Sequence, residues 1–389
     1  MTKRLCAGFA ALEVAYWCVH ATFLGFVSAY LLEKGMSNTA VSLLLAAYLL
    51  SAFAGSLFWG GVCDRWQTNR KVFLCAGAAS AVLVCLIYSF ADHLPIVALC
   101  YPLLGFLYQP LASNADAWVL GACRYDAKLF GKIRCMPSLF YAFVCAVQGQ
   151  LIARFGYGFM LGGGLLFLTV LLLTAWRLPD VRSASGKGDE RVSVGHAAAL
   201  ARNRQYLRLL VLLFLLGVAV APINNLKIIV YENVGGNVAH IGSDSFVGAL
   251  TQVPLIALAG ALAMIPLRLR YLMMTAFPLI MLLLTRFAVS PGMVIAGTFF
   301  YNVGYGFLLP TMRDVAERHV DKRLRNLAHS LSDAVFTSFS GVVSLLYAGA
   351  VADHFGVSAM LSVCAVMAAT AVVVSSLPDK KREEGKNCI

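Results

Sequence analysis

Apolar residues dominate this chain in long uninterrupted runs, and polar residues gather between the runs rather than alternating with apolar ones. Twelve runs reach about 20 residues, the length that crosses a hydrocarbon core of about 30 Å. They lie near residues 8–32, 39–62, 71–91, 94–121, 133–154, 158–177, 206–231, 243–265, 268–289, 291–312, 326–350 and 356–377. In lipid each backbone N–H and C=O must be paired inside its own segment, so the runs predict membrane-spanning helices. The first run follows Lys3 and Arg4 but holds Glu13 and His20 and shows no small-residue cleavage site. It reads as a retained helix rather than a signal peptide.

Composition agrees. The chain is 60% hydrophobic and 13% charged, with a mean hydropathy of +0.77, whereas soluble domains run nearer half apolar and a quarter charged. A formal net charge of +12 raises nucleic acid as a partner, but the distribution argues against it. Of 31 Lys and Arg residues, all but Lys34, Arg154, Lys227 and Arg286 fall in loops on the side that holds both chain ends. The positive-inside rule makes that side the cytoplasm. The expectation is a multi-pass protein of the plasma (bacterial inner) membrane, monomeric, with both termini cytoplasmic and with lipid and a small molecule as partners. Eleven scattered cysteines include no C-x-x-C pair and no Cys/His cluster, so free thiols are expected, with no metal and no cofactor.

The one long polar interval, "RLPDVRSASGKGDERVSVGHAAALARNRQY", reads as a linker between two groups of six helices. The predicted organisation is a first bundle over 1–178, a linker over 179–205, a second bundle over 206–378 and a tail over 379–389. A repeat supports it: "GQLIARFGYGFML" at Gly149 to Leu161 returns as "GAVADHFGVSAML" at Gly349 to Leu361, and Tyr101 and Pro110 recur as Tyr301 and Pro310. Two parallel six-helix halves suit a carrier whose single site, between them, faces each side in turn.

The loop after the second run, "GGVCDRWQTNRK", places Asp64 and Arg65 after Gly60 and is followed by Arg70. It resembles the signature loop of the major facilitator superfamily, with Gln67 where that family has a glycine. The resemblance implies an all-α membrane fold of two pseudo-symmetric six-helix bundles, and a gating role for Asp64, Arg65 and Arg70. The matching segment of the second half, "GALAMIPLRLRY", has lost its acidic residue.

Charge inside a span costs several kcal/mol, about 2.5–3.5 on insertion scales, so each such residue is a site candidate. Arg134, Ser138, Tyr141, Cys145 and Gln148 share one helical face; Gln109, Ser113 and Asp116 share another; Glu13, Trp17 and His20 share a third, with Tyr16 beside them. A carboxylate beside a guanidinium can bind the hydroxyls of a sugar or nucleoside bidentately, and an aromatic face can pack on the ring. The alternative is that Asp116 and Arg134 only neutralise each other near the mouth. Other positions also carry two readings: His20 lines the cavity or is a bonded core residue; Glu13 carries a proton or pairs with loop cations; Lys227 snorkels to the interface or enters the site. Arg286, deeper in its span, needs a counter-charge or a substrate anion.

The order of Asp116 in "ADAW", Arg134 in "GKIR" and Tyr141 is similar to that of the lactose permease-like oligosaccharide and nucleoside:proton symporters. The resemblance implies that Asp116 and Arg134 ligate the solute and Tyr141 stacks on it. Departures lie in the second half. Gln252, Asn302 and Tyr305 stand where that branch has charged groups, Asn224 and Asn225 replace aspartates, and Thr337 replaces a lysine; Arg286 matches. The usual proton machinery is therefore missing there, which leaves Asp333 as a coupling or gating candidate. With no Walker motif, Rossmann fingerprint or nucleophile elbow, the expectation is a secondary transporter, not an enzyme. It would move a small polar solute of sugar or nucleoside type by alternating access, with protons as the driving ion. Drug or metabolite efflux by proton antiport, and uncoupled facilitation, are the alternatives.

Overall fold

The computed structural model describes residues 3–123, 126–180, 200, 203–321 and 324–377. Those residues form helices joined by short connections, with no strand among them. The first half holds α1 (Arg4–Glu33), α2 (Asn38–Trp66), α3 (Arg70–Ser89), α4 (Leu94–Ala122), α5 (Ala127–Phe155) and α6 (Gly158–Arg177). The second holds α7 (Arg204–Asn225), α8 (Val238–Ala257), α9 (Leu267–Arg286), α10 (Pro291–His319), α11 (Leu327–Phe355) and α12 (Val357–Ser376). Eleven of these are long and apolar enough to cross a membrane, and α8, at 20 residues, completes the twelve that the apolar runs predict. An even number of crossings leaves the start of α1 and the end of α12 on one face, the near face; the other is the far face. Most of the predicted linker, and the tail from 379, lie outside the described residues.

Helix ends follow local chemistry. Ser37 caps α2 by accepting from the Ala40 amide, and Asn203 caps α7 by accepting from Gln205 and Tyr206. Pro291 opens α10, where a missing N–H costs nothing. Asp180, just past α6, accepts from the Asn69 and Arg70 amides and from the Thr68 hydroxyl, which ties the start of α3 to the end of its half.

Irregular backbone recurs along or just beyond these helices. α1 passes through a π-turn at His20–Leu24, α4 kinks at Gln109–Pro110, α7 breaks at Leu226 before a short helix Lys227–Glu232, and α11 contains a π-turn at Val335–Phe339. Irregular backbone at this depth persists only where protein or a water-filled cavity satisfies it. Each interruption adjoins residues that the sequence marks as site candidates: His20, Gln109, Asn224 with Asn225, and Asp333.

The halves meet along two seams, α2 against α11 and α5 against α8. At the far face Asp353 of α11 accepts four hydrogen bonds from the start of α2: from the Asn38 amide (3.2 Å) and side chain (2.8 Å), and from the Thr39 amide (2.8 Å) and hydroxyl (2.6 Å). At the other seam Gly242 packs on the Cys145 carbonyl, and Gly149 on Ala239 and Gly242. About halfway along α2, Phe53 meets Phe339 with ring centroids 5.3 Å apart. Toward the near ends of their helices Asp333 is exposed, and Asp116 and Arg134 are partly so; Asn224, in the far half of its span, is also exposed. The molecule is thus closed at the far face. The glycine patch of α6 packs helices, as the small residues suggest: Gly163 lies on Thr22 and Gly164 on Phe23.

Candidate transport site

Two charges eighteen positions apart in sequence meet where α4 and α5 run side by side. Arg134 Nε lies 2.9 Å from Asp116 Oδ1, and the two side chains keep 34% and 37% of their surface. The guanidinium also sits over the Trp17 ring, 5.1 Å from its centroid, a cation–π contact. Beneath them Glu13 is 1% exposed and has one carboxyl oxygen with no hydrogen-bond partner. Its carboxyl contacts that of Asp116, and both feel the charge of Arg134. The expectation that Glu13 pairs with loop cations is therefore replaced: its neighbours are the two charges of the site. Two carboxyls thus share one guanidinium.

Aromatic residues wall this cluster. Trp17 meets Tyr141 edge-on at 6.5 Å, and His20 lies 5.5 Å from both Trp17 and Tyr108. Tyr16 Oη is 3.3 Å from His20 Nε2 and donates to the Gln109 carbonyl, while Gln109 Oε1 accepts from Tyr48. Tyr16 is fully buried and stacked on Tyr108 at 4.9 Å, so it supports the wall from behind. Ser138 is half-buried on the Arg134 face of α5. Gln148 leaves that stripe and is buried against Gly163 of α6.

In the second half Asn224 is exposed and donates to the Tyr301 hydroxyl at 3.4 Å. Tyr305 packs between Tyr301 and Phe336 and lies within electrostatic range of both Arg134 and Asp333, so it faces the first-half cluster across the gap. Gln252 is half-buried on α8. Asn225 donates to the Ala221 carbonyl and Asn302 to that of Thr298, with Asn302 buried beside Gly248. Both brace their own helices.

The gating candidates separate. The side chain of Asp64 lies outside what is described; Arg65 is exposed on the near face, and the Arg70 amide joins the Asp180 cap. Arg286 is the last residue of α9, where its Nε donates to Ser362 of α12 at 3.0 Å and its head covers Phe287. A hydroxyl and a ring hold its head, for which the sequence allows a counter-charge or a substrate anion. The acidic partner missing from the second half's signature segment comes from α10: Asp314 accepts from Arg270 at 2.6 Å and from Arg318 at 2.5 Å, with Arg270 2% exposed.

One intramembrane pair joins Lys227 to an aspartate that the sequence does not single out. Lys227 Nζ lies 2.5 Å from Asp244 Oδ2; Asp244 is 2% exposed and also accepts from the Thr298 hydroxyl. Lys227 therefore does not snorkel to the interface. Burying both partners costs desolvation that only close geometry and added hydrogen bonds offset.

Two six-helix halves, sealed at one face and carrying ionised side chains between them, define a membrane transporter of the major facilitator fold, not an enzyme. The chain belongs to the MFS_1 like family, which matches residues 11–382. It is 24% identical over 263 residues, 67% of each chain, to the probable 3-phenylpropionic acid transporter of Escherichia coli (strain K12). Among solved structures it resembles the nucleoside transporter NupG, with a TM-score of 0.79 at 14% identity over 95% of this chain and 97% of that one. The POT family transporter PepTSo gives 0.74 at 12% identity over 96% and 97%. At these identities the structural likeness concerns the fold.

Proposed function

We propose that this transporter moves a small polar solute bearing a ring and hydroxyls, of sugar or nucleoside type, by alternating access and together with protons. The observation that carries the reading is the Asp116–Arg134 pair, partly open beside Trp17. A carboxylate and a guanidinium side by side supply acceptors and donors to a diol, and the adjoining aromatic wall takes the ring face. Glu13, in surplus over the one guanidinium, supports proton use. With the near face as the cytoplasmic side, the far-face closure corresponds to an inward-facing state; an impermeant thiol reagent acting on a near-face cysteine only from the cytoplasm tests that orientation.

Counterflow in proteoliposomes across sugars, nucleosides and aromatic acids, with Asp116→Asn and Arg134→Ala beside the parent, tests the site. Both variants should lose exchange of the accepted solute, and unchanged exchange in both refutes the assignment. A second reading, uptake of an arylcarboxylic acid, is favoured by the name of the Escherichia coli relative and by the aromatic wall. Charge discriminates between them. Two carboxyls already share Arg134, so an anion would have to arrive with a proton, and its uptake should collapse when the pH gradient is removed.

A further inference from the structure

We propose that Asp244, paired with Lys227, is the proton-loading residue of the second half, and that the α5/α8 seam decides which side of the membrane supplies or receives its proton. This rests on the proton-coupled reading above and adds to it the place of coupling.

A coupling carboxyl must change its surroundings when the halves rock. Glu13, Asp116 and Arg134 all belong to α1, α4 and α5 and move as one body, so rocking leaves their mutual contacts intact. Asp244 is placed differently. It stands on α8 two residues past Gly242, whose backbone touches Cys145 of α5, and next to Ser245, which bonds Tyr141 of the first half. This cover from α5 exists only while the far seam is closed. Rocking that parts α5 from α8 would bare Asp244 to water at the far face. In the present state Lys227 keeps 22% of its side-chain surface and lines, with Asp244, Asn224 and Tyr301, one small cleft within the second half, the side from which the proton would leave.

The ionisable surroundings suit a carboxyl that changes charge. From α7 and its continuation come Lys227 and Tyr231, the latter stacked on His240 at 5.8 Å; from α5 come Tyr141 and Cys145; α10 contributes the Thr298 hydroxyl, and α9 only the uncharged Met281 and Thr285. Lys227 is thus the cation that compensates Asp244. With the far seam open, a proton from water adds to an Asp244 carboxylate oxygen. Lys227 keeps its own proton and loses its counter-charge, and its ammonium turns to the cavity beside Asn224 and Tyr301. When the seam closes and the proton leaves toward the near side, the pair re-forms. Intramembrane ion pairs are where such relays are found, and this one stands in a half where Gln252, Asn302 and Tyr305 occupy positions that are charged in the resembling branch.

The test uses purified full-length protein in proteoliposomes and compares counterflow, which needs no net proton movement, with accumulation driven by an imposed pH gradient. The parent, Asp244→Asn, the charge-balanced double variant Asp244→Asn with Lys227→Met, and Glu13→Gln are measured together. Retained counterflow with lost accumulation in both Asp244 variants is the expected result. Accumulation that survives Asp244→Asn overturns the proposal, most pointedly if Glu13→Gln abolishes it. Loss of counterflow along with accumulation in both Asp244 variants, with thermal unfolding unchanged, also overturns it, by assigning the pair to solute binding. A parent that shows no gradient-driven accumulation refutes the proton-coupled reading itself, a result distinct from the others.

Discussion

Gly349 of α11 and Asn38 of α2 touch backbone to backbone across the two halves: a methyl group on Gly349 would come 2.2 Å from the Asn38 carbonyl oxygen. A backbone atom at the start of a helix cannot swing aside as a side chain can, so Gly349→Ala is incompatible with the closed far face. The overpacking is worth about 1–3 kcal/mol, enough to shift a two-state equilibrium by about 5- to 150-fold. Spin labels on far-face loops of the two halves should report a longer distance in this variant. An unchanged distance distribution would contradict the closure described.

Asp353 closes the same seam electrostatically. Its carboxylate meets the N-terminus of α2, where free amides and the helix dipole favour negative charge. Asp353→Asn keeps the shape and gives up the charge and one accepting oxygen. Hydrogen bonds to a charged group contribute about 1.5–3 kcal/mol when shielded, and this exposed site should yield about 1 kcal/mol. The same far-face distance should lengthen, by less than in Gly349→Ala. A double-mutant cycle with Thr39→Val should show coupling, since both changes remove part of one contact.

Arg134 makes two contacts with one planar head, the carboxylate of Asp116 and the face of Trp17. Lysine supplies charge but not the fork or the flat surface. Arg134→Lys should therefore fold, keep partial exchange and bind solute about tenfold more weakly, while Trp17→Leu loses about 0.5–1 kcal/mol of cation–π support. Half-saturation in counterflow should rise in both. A fall in maximal rate at unchanged half-saturation would instead assign these residues to the conformational step.

Much of this architecture is legible in the chain because lipid leaves few choices: an apolar run of spanning length must be a helix, and a 200-residue repeat must be two like halves. The same repeat marks Gly149 and Gly349, which the structure places on the two different seams. Asp116 and Arg134 are legible by face and spacing. Asp244 is not, because it sits in "HIGSDSF", a polar margin where the apolar run had barely begun. Lys227 follows a helix break that hydropathy does not register, and Asp314 lies past the end of its apolar run. Helical periodicity tells which residues share a face but not what that face meets. Tyr16 and Asn302 thus read like cavity residues and prove buried. The partner of Arg286, a serine on a distant helix, carries no sequence signal at all.

The signature loop provides a test of local strain. α2 ends at Gln67, whose φ of 53° and ψ of 36° place it in the left-handed region, the one residue other than glycine with positive φ among those described. For a residue with a Cβ that conformation costs about 1–2 kcal/mol, and the resembling family has glycine at this place. Gln67→Gly should remove the strain while adding backbone freedom to the unfolded chain worth about 0.4–1 kcal/mol. The net gain then runs from about 0 to about 1.6 kcal/mol by the same figures. Gln67→Val should do the opposite, since a branched Cβ fits the left-handed region worst. Thermal unfolding of the purified protein, followed by tryptophan fluorescence, should rank glycine above the parent and valine below it. Gln67 is exposed on the near face, away from the Asp116–Arg134 pair, so solute half-saturation should be the same in all three proteins. If glycine instead lowers the unfolding midpoint, the contacts of the Gln67 side chain outweigh the strain of its backbone.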